Sequence, residues 1–451
     1  MVLCDSLAIL ASGLFAFLTW ARPVRGQDLA LYSELWILLP LFLLGFAQAG
    51  LYPGTGLGPV ATLRRTSYVS ALTFLLLAGL SFALQLPYVY SRVTFAIAFL
   101  ATLLFVPLFR LAALSLLART AWWPEAAVVL ADEADRAGRI VAALTGAPHL
   151  GYSARALVLS RESGQPTRAA EPPHFPDVES ALASTGATVA FLDAQSAAES
   201  MLDPLQQRFH RVLVVRGFDD LPVEGIRVHN LGGFLGLEYT NNLLDSRNQW
   251  FKRALDLGLG SIALILSLPL LLLAILAIEV RSPGPPLFFQ ERSGRNGRRI
   301  RVPKIRTMVP GAEAQLEEAL ARDPALREEW RQRMKLRDDP RLIPFVGKFL
   351  RRFSLDELPQ LWSVVAGDMS LVGPRPFPDY HLEKFPERFR ELRRRVRPGI
   401  TGLWQVTVRS EGALERQQSL DSYYIRNWSI WLDIYILART VGAVLTGRGA
   451  Y

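Results

Sequence analysis

The chain has 451 residues, half of them apolar, and its mean hydropathy of +0.21 excludes an ordinary soluble protein. The formal net charge is nevertheless +9, as in a membrane protein with domains on an anionic lipid surface, and membrane-length apolar segments ahead of most basic residues disfavour nucleic acid as a partner. Cys4 is the single cysteine, which excludes a disulfide within the chain and a thiolate metal site.

Four apolar segments occupy the first 120 residues, and each is near the length needed to cross a bilayer. They run over Ser6–Trp20, Leu35–Tyr52, Tyr68–Leu86 and Val93–Phe109. Aromatic residues stand at their ends, where the membrane interface favours them. The sequence therefore predicts a transmembrane bundle of four α-helices over residues 1–120, with both of its ends on the same side of the membrane.

Between residues 121 and 247, short apolar runs alternate with helical patterns. Four runs have the composition of buried parallel strands: Ala126–Leu130, Ala156–Leu159, Thr188–Leu192 and Val212–Val215. The alternation predicts an α/β doubly wound, Rossmann-like module. No glycine-rich loop follows the first run, where Ala131–Asp135 is acidic, so a structural or regulatory role is favoured over dinucleotide binding.

Residues 248–451 are predicted to form a separate, mostly α-helical domain that opens on the uncharged segment Leu257–Ile278. Pro269 lies near the centre of this segment, where it removes a helix hydrogen bond. Basic residues flank both ends, and a full crossing would place one flank on the wrong side of the membrane. We therefore expect a re-entrant helix over about residues 254–280 that breaks at Pro269. A kinked full span is the alternative.

The most informative segment is Phe353–Leu361, which contains the adjacent carboxylates Asp356 and Glu357. A capping box is the plain explanation of these two carboxylates, since Ser354 and Glu357 have the spacing that caps a helix N-terminus. The turn Gly367–Pro376 favours a functional role instead, because a rigid turn is suited to presenting an arginine to phosphate oxygens.

Seven motifs follow one another in a fixed order. They are Lys252-Arg253 with Asp256, Pro283-Gly284-Pro285, Phe289–Arg292, Lys304–Met308, Asp356-Glu357, Gly367–Pro376 and Arg397–Val406. Together they resemble the catalytic domain of the monotopic polyprenyl-phosphate phosphoglycosyl transferases, the bacterial sugar transferase family. With the bundle and the sheet module, the chain is similar to the long members typified by undecaprenyl-phosphate galactose phosphotransferase. One departure is Leu268-Pro269, where the family usually has Ser-Pro at the helix break.

The resemblance implies transfer of a hexose 1-phosphate from a UDP-sugar to undecaprenyl phosphate, with release of UMP, as the first membrane step of O-antigen, capsule or exopolysaccharide synthesis. Asp356 would be the nucleophile that carries the phosphosugar, Glu357 would support it, and both would bind Mg²⁺. A helix N-terminus would keep Asp356 ionised. The candidate substrate-binding residues are Lys304, Arg306, Arg375, Arg397, Gln405, Asp368 and Asp421. Galactose and glucose both fit.

The expected location is the bacterial inner membrane, in contact with its lipids and with the catalytic domain on the cytoplasmic face. A homodimer paired through the sheet module is left open. The alternative function is a non-catalytic membrane scaffold or regulator of polysaccharide assembly, which the presence of Asp356, Glu357 and Arg375 disfavours.

Overall fold

The computed structural model describes residues 1–33, 37–83, 91–120, 122–159, 172–194, 199–215, 226–230, 235–239, 242–333, 336, 339–407 and 414–446. The chain forms two compact units, Met1–Gly217 and Phe218–Tyr451.

The first unit begins with apolar helices. They are α1 (Val2–Ala16), α2 (Arg22–Arg25), α3 (Leu29–Ser33), α4 (Leu39–Gln48), α5 (Pro59–Ala83) and α6 (Arg92–Leu117). A π-helical turn joins α1 to α2, and the combined helix, α5 and α6 are each long and apolar enough to cross a membrane.

The second predicted span is shorter than expected. In its place α4 has 10 residues, about 15 Å, or half of the bilayer core. Pro40 stands in the first turn of α4 and favours a helix start at that point. The predicted spans also include residues 35–36 and 84–86, which lie outside the described residues. Four spans, and the inference that both ends of the bundle share one side, are therefore not confirmed.

A buried ion pair ties the bundle together. Arg110 of α6 lies 2.5 Å from Asp5 of α1, and both side chains are almost completely excluded from solvent. The Tyr52 hydroxyl donates to the same carboxylate at 2.7 Å, and Arg110 donates to the carbonyl of Leu51 at 3.3 Å. Because an unpaired charge is very costly in an apolar environment, these contacts fix α1, α6 and the turn after α4 to one another.

The predicted sheet module is confirmed. Its elements are β1 (Glu125–Ala131), α7 (Ala134–Gly146), β2 (Tyr152–Leu159), β3 (His174–Phe175), α8 (Val178–Thr185), β4 (Val189–Asp193), α9 (Glu199–Arg208) and β5 (Arg211–Val215). The strands are parallel in the order β3-β2-β1-β4-β5. At the carboxyl ends of β1 and β4, where such sheets bind ligands, Arg136 pairs with Asp193 at 3.2 Å.

The second unit holds the predicted helical domain and a preceding hairpin. Its elements are β6 (Ile226–Asn230), β7 (Leu235–Tyr239), α10 (Ser246–Arg281), β8 (Leu287–Ser293), β9 (Arg299–Ile305), α11 (Ala312–Arg322), α12 (Pro324–Arg333), α13 (Val346–Arg352), α14 (Gln360–Ala366), β10 (Ser370–Val372), α15 (Asp379–Leu382), α16 (Glu387–Arg394), β11 (Gly399–Thr401), α17 (Leu403–Thr407), α18 (Leu414–Arg426) and α19 (Ile430–Thr446). Strands β8 and β9 pair antiparallel, whereas β10 and β11 pair parallel.

Helix α10 is the long apolar helix of this unit, and it remains helical through Pro269. The Ser267 hydroxyl donates to the Leu264 carbonyl at 2.8 Å, on the turn before the proline. The expected break at Pro269 is therefore not seen. A kink there stays a prediction, since proline cannot donate to the carbonyl of Ile265.

Both ends of α10 pack on the same unit. Near its start, Lys252 lies 2.7 Å from Asp433, and Asp256 accepts hydrogen bonds from Ser370 and from the backbone of Leu371. Near its end, the buried Ala274 and Ile278 belong to a core with Ile305, Ile343 and Leu350. Between the two anchors the helix exposes mostly apolar side chains, including Ile262, Ile265, Leu266, Leu272 and Leu273.

Candidate active site

Asp356 and Glu357 lie on a 3₁₀ turn, Leu355–Glu357, between α13 and α14. Ser354, just before the turn, is left-handed with φ 54°, and its side chain makes no capping hydrogen bond. The capping box, the plain alternative for this segment, is therefore not formed. The physical reason is that the Glu357 carboxylate reaches two cations from other elements instead of the backbone N–H of Ser354.

Glu357 is held by the two cations. Lys304 of β9 donates from Nζ to Oε1 at 2.9 Å, and Arg375 donates from Nη2 to the same oxygen at 2.7 Å. The Glu357 side chain is only 15% exposed. Burial by itself would raise the pKa of Glu357, but the charges of Arg375 and Lys304 and their hydrogen bonds lower it to about 2. Glu357 is thus a firmly ionised carboxylate whose charge is already balanced.

Asp356 differs from its neighbour. Within the part of the chain that the structure describes, no donor hydrogen-bonds or pairs with its carboxylate. Burial and the charge of Glu357 raise the pKa of Asp356, and Lys304, Arg351 and Arg375 oppose that rise through their charges. Asp356 stands on the 3₁₀ turn ahead of α14, and the expectation that a helix N-terminus keeps it ionised stays a prediction. Its anion is the less stabilised of the two, and hence the more reactive.

The predicted turn Gly367–Pro376 presents Arg375 from a rigid backbone. The Gly373 N–H donates to Thr401 at 2.9 Å, and the Gly399 N–H donates to the carbonyl of Pro374 at 3.0 Å. A Cβ atom on Gly373 would stand 2.7 Å from the carbonyl oxygen of Arg397, so a larger residue does not fit there. The structure therefore brings Lys304, Arg375, Asp356 and Glu357 together, and their catalytic and substrate-binding roles stay predictions.

Two further arginines border this site. Arg351 of α13 acts on Asp356 through its charge, and its Nε donates to the Thr307 hydroxyl at 2.9 Å. Arg292 of β8 is close enough to Arg375 for the two charges to interact, and it donates to Gln290 at 2.5 Å. Sequence reasoning missed both as site residues. The signal for Arg351 was its place in a basic run, five residues before Asp356.

Two predicted phosphate-binding arginines are engaged elsewhere. Arg306 donates to the carbonyls of Ser282 and Gly284, where the chain leaves α10. Arg397 donates to the carbonyl of Gly367 at 2.9 Å and so satisfies the C-terminal end of α14. The structure does not bring either guanidinium to the carboxylate pair.

The three remaining candidates also lie apart from the pair. Asp421 is 1% exposed and pairs with Arg393. Burial raises the pKa of Asp421 to about 6, although the charge of Arg393 lowers it. Gln405 donates to the Ile400 carbonyl at 3.2 Å, and Asp368 acts through its charge on Arg397. Oδ1 of Asp421 and Oε1 of Gln405 are buried without a hydrogen-bond partner among the described residues.

A cavity of about 480 Å³ lies beside the turn that carries Arg375. Pro374, Phe377, Arg390 and Arg393 contribute to its wall, but Gln405 does not. Within the described ranges no three His, Cys, Asp or Glu side chains are grouped as a metal site, so Asp356 and Glu357 stand as a carboxylate pair.

Comparison with known proteins identifies the class. A sequence profile described as bacterial sugar transferase matches residues 247–447. A protein of Haemophilus influenzae named an uncharacterized sugar transferase is 32% identical over 370 residues, which cover 80% of this chain and 78% of that protein. The chain belongs to the bacterial sugar transferase family, so the resemblance inferred from the ordered motifs is confirmed.

Two further relatives carry more specific names. The undecaprenyl-phosphate galactose phosphotransferase of Salmonella typhimurium is 40% identical over 215 residues, which are 48% of this chain and 44% of that protein. The UDP-glucose:undecaprenyl-phosphate glucose-1-phosphate transferase of Caulobacter vibrioides is 40% identical over 207 residues, 44% of this chain and 72% of its own length. The match thus spans less than half of the Salmonella protein.

The opposite pKa shifts of the two carboxyls predict different chemical reactivity. Carbodiimides modify protonated carboxyls, so labelling of Asp356 should persist to a higher pH than labelling of Glu357. In Arg351→Gln the Asp356 labelling should extend to still higher pH, because a charge that lowers the pKa of Asp356 is lost. Peptide mass spectrometry measures both.

Arg352→Gln is the matched control, because Arg352 is exposed and lies over the ring of Phe353. It should leave the Asp356 profile unchanged. Labelling of Glu357 at a higher pH than Asp356 would contradict the described electrostatics.

Proposed function

We propose that this protein transfers a hexose 1-phosphate from a UDP-sugar to undecaprenyl phosphate and releases UMP, as the first membrane step of polysaccharide synthesis. One observation carries the proposal: Glu357 is balanced by Lys304 and Arg375, whereas Asp356 beside it is bonded to none of the described residues. One carboxylate is thus left to react among cations that can hold phosphates. The names of the Salmonella and Caulobacter relatives support these substrates.

The reaction proceeds in two displacements. In the first, a carboxylate oxygen of Asp356 attacks the β-phosphorus of the UDP-sugar, and the bond from that phosphorus to the bridging oxygen breaks, so that UMP leaves with the electron pair. In the second, a phosphate oxygen of undecaprenyl phosphate attacks the same phosphorus and the acyl phosphate bond breaks, which regenerates the carboxylate. Because the reaction is divided into two displacements, UMP can leave the site before undecaprenyl phosphate reacts.

The cations around Asp356 have separate tasks in this scheme. Arg375 and Lys304 hold Glu357 ionised and in place, and their charges also act on Asp356. Arg351 adds positive charge on the side of α13. Together they offset the charge that collects on the diphosphate as its bond to UMP breaks.

Mg²⁺ fits the donor set of this site. Two adjacent carboxylates offer hard oxygen ligands, and Mg²⁺ commonly takes one or two carboxylates together with water and substrate phosphates. Asp356 would be the main ligand, since the Oε1 of Glu357 already accepts from Lys304 and Arg375. When bound, the ion would neutralise charge on the diphosphate and favour the ionised form of Asp356.

The hexose is galactose or glucose in this proposal. The Salmonella relative is named for galactose and the Caulobacter relative for glucose, and both are 40% identical to this chain over the matched residues. The choice between epimers depends on contacts to single hydroxyl groups, which the carboxylate pair and its cations do not determine.

The anchors of α10 support a re-entrant helix, with the catalytic unit on the cytoplasmic face of the inner membrane. Gly260 packs against Val364, and Ala274 belongs to the core under β9 and α13. These positions are 14 residues apart, or about 21 Å of helix, which is less than the roughly 30 Å of a bilayer core. If α10 crossed the bilayer completely, the unit that contacts both Gly260 and Ala274 would itself have to enter the hydrocarbon core.

The nucleophile is tested by Asp356→Asn in membranes with Mg²⁺. Wild type should release UMP from UDP-galactose or UDP-glucose, and the variant should lose more than about a thousandfold of that rate and the labelled phosphosugar adduct, because an amide cannot form the acyl phosphate. Asp323→Asn, an exposed aspartate between α11 and α12, is the control. Substantial turnover by Asp356→Asn would exclude Asp356 as the nucleophile. If the wild-type protein released no UMP from any UDP-sugar in a panel, the result would favour the alternative of a non-catalytic scaffold.

The topology is tested by cysteine labelling in a Cys4→Ser background, which has no other cysteine. Ser246→Cys, at the first residue of α10, and Arg298→Cys, beyond its last residue, place exposed thiols on either side of the apolar segment. Both should react with a membrane-impermeant maleimide in inside-out vesicles and be protected in intact spheroplasts. Labelling of the two thiols from opposite faces would establish a full crossing.

A further inference from the structure

Arg393 of α16 joins two parts of the second unit. Its Nη1 donates to Oδ2 of Asp421 on α18, and its Nη2 donates to the backbone carbonyl of Arg375. A planar guanidinium can serve both acceptors at once because its N–H groups point in fixed, divergent directions.

The surroundings of Arg393 show that this contact is built into the core. The side chain is 8% exposed, and that of Asp421 is 1% exposed. The guanidinium carbon lies 4.6 Å from the centre of the Phe377 ring and 5.6 Å from that of Phe389. A buried cation is retained only where partners offset the loss of water, and here a carboxylate, a carbonyl and two aromatic faces do so.

The carbonyl that Arg393 holds belongs to a catalytic arginine. Pro374 and Pro376 flank Arg375, and neither has an N–H that could anchor the turn. Backbone bonds from Gly373 and Gly399 secure the turn toward β11, and Arg393 secures it at Arg375 itself. The guanidinium of Arg375 then reaches Glu357 at 2.7 Å.

We propose that Arg393 is a positioning residue for the transfer: it holds the backbone of Arg375 where the Arg375 guanidinium can contact both Glu357 and the transferring phosphate. Asp421 in turn holds Arg393 in place. This inference rests on the proposed function. It assigns Asp421, a sequence candidate for substrate binding, to a supporting role, with Arg393 and Arg375 between it and the substrate.

Arg393→Lys tests the proposal. Lysine keeps the charge but has no planar fork, so one of the two acceptors is lost. We expect kcat for UMP release to fall about tenfold or more, with KM within about threefold, since small displacements of a catalytic group act on the transition state. Arg394→Lys is the control, because Arg394 is the next residue, is half-exposed and pairs with Glu387 on the same helix.

A double-mutant cycle separates positioning from simple loss of folding. If Arg393 acts through Arg375, Arg393→Lys should change kcat by no more than about twofold in an Arg375→Lys background. Asp421→Asn provides a second variant, which should lower kcat in wild type and add little to Arg393→Lys. Thermal unfolding of each purified variant checks that the fold is retained.

The outcomes are distinct. If the wild type is active and the folded Arg393→Lys variant has the same kcat, the positioning role is overturned. It is also overturned if Arg393→Lys lowers kcat as much in the Arg375→Lys background as in the wild type. A kcat loss that tracks the unfolded fraction of Arg393→Lys and Asp421→Asn also overturns it. The absence of UMP release by wild type would instead contradict the proposed function.

Discussion

The carboxylate of Glu357, held between Lys304 and Arg375, is the interaction on which the rest of the site depends. It joins three separate segments: the strand β9, the 3₁₀ turn before α14 and the turn after β10. It also divides the work of two neighbouring acids. Glu357 takes up the cationic charge, and Asp356 is left with a raised pKa and no bond to the described residues. Adjacent carboxylates normally disfavour each other's ionisation, and the two cations are what make the pair tolerable.

Around this pair, the second unit is organised to keep the site fixed beside an apolar helix. The start of α10 is locked by the ion pair of Lys252 with Asp433 and by Asp256, and its end lies in the core near Ile305. The 3₁₀ turn that carries the acids follows α13, which packs on that same core. The exposed apolar middle of α10 and the carboxylates are therefore parts of one packed unit.

Local patterns predicted the fold better than the contacts of the site. The four apolar runs became the parallel strands β1, β2, β4 and β5. The central strands β1 and β4 are buried along most of their length, and a strand buried on both faces needs little beyond apolar composition. The turn at Gly373–Pro376 could be predicted from the sequence because glycine and proline constrain the backbone directly. The partners of charged side chains were not readable: Ser354 and Glu357 have the spacing of a cap, yet the partners of Glu357 come from residues 304 and 375. Arg306, Arg397 and Asp421 were chosen by motif, and tertiary packing gave them backbone carbonyls or a buried partner instead.

The central claim is that Asp356 carries the phosphosugar between two half-reactions, and isotope exchange tests it most directly. Wild-type enzyme is incubated with UDP-sugar and labelled UMP in membranes depleted of undecaprenyl phosphate. A covalent intermediate predicts that label enters the UDP-sugar without any lipid acceptor, because the first displacement is reversible on its own. Exchange that occurs only when undecaprenyl phosphate is added back would contradict the account and favour a direct, single displacement.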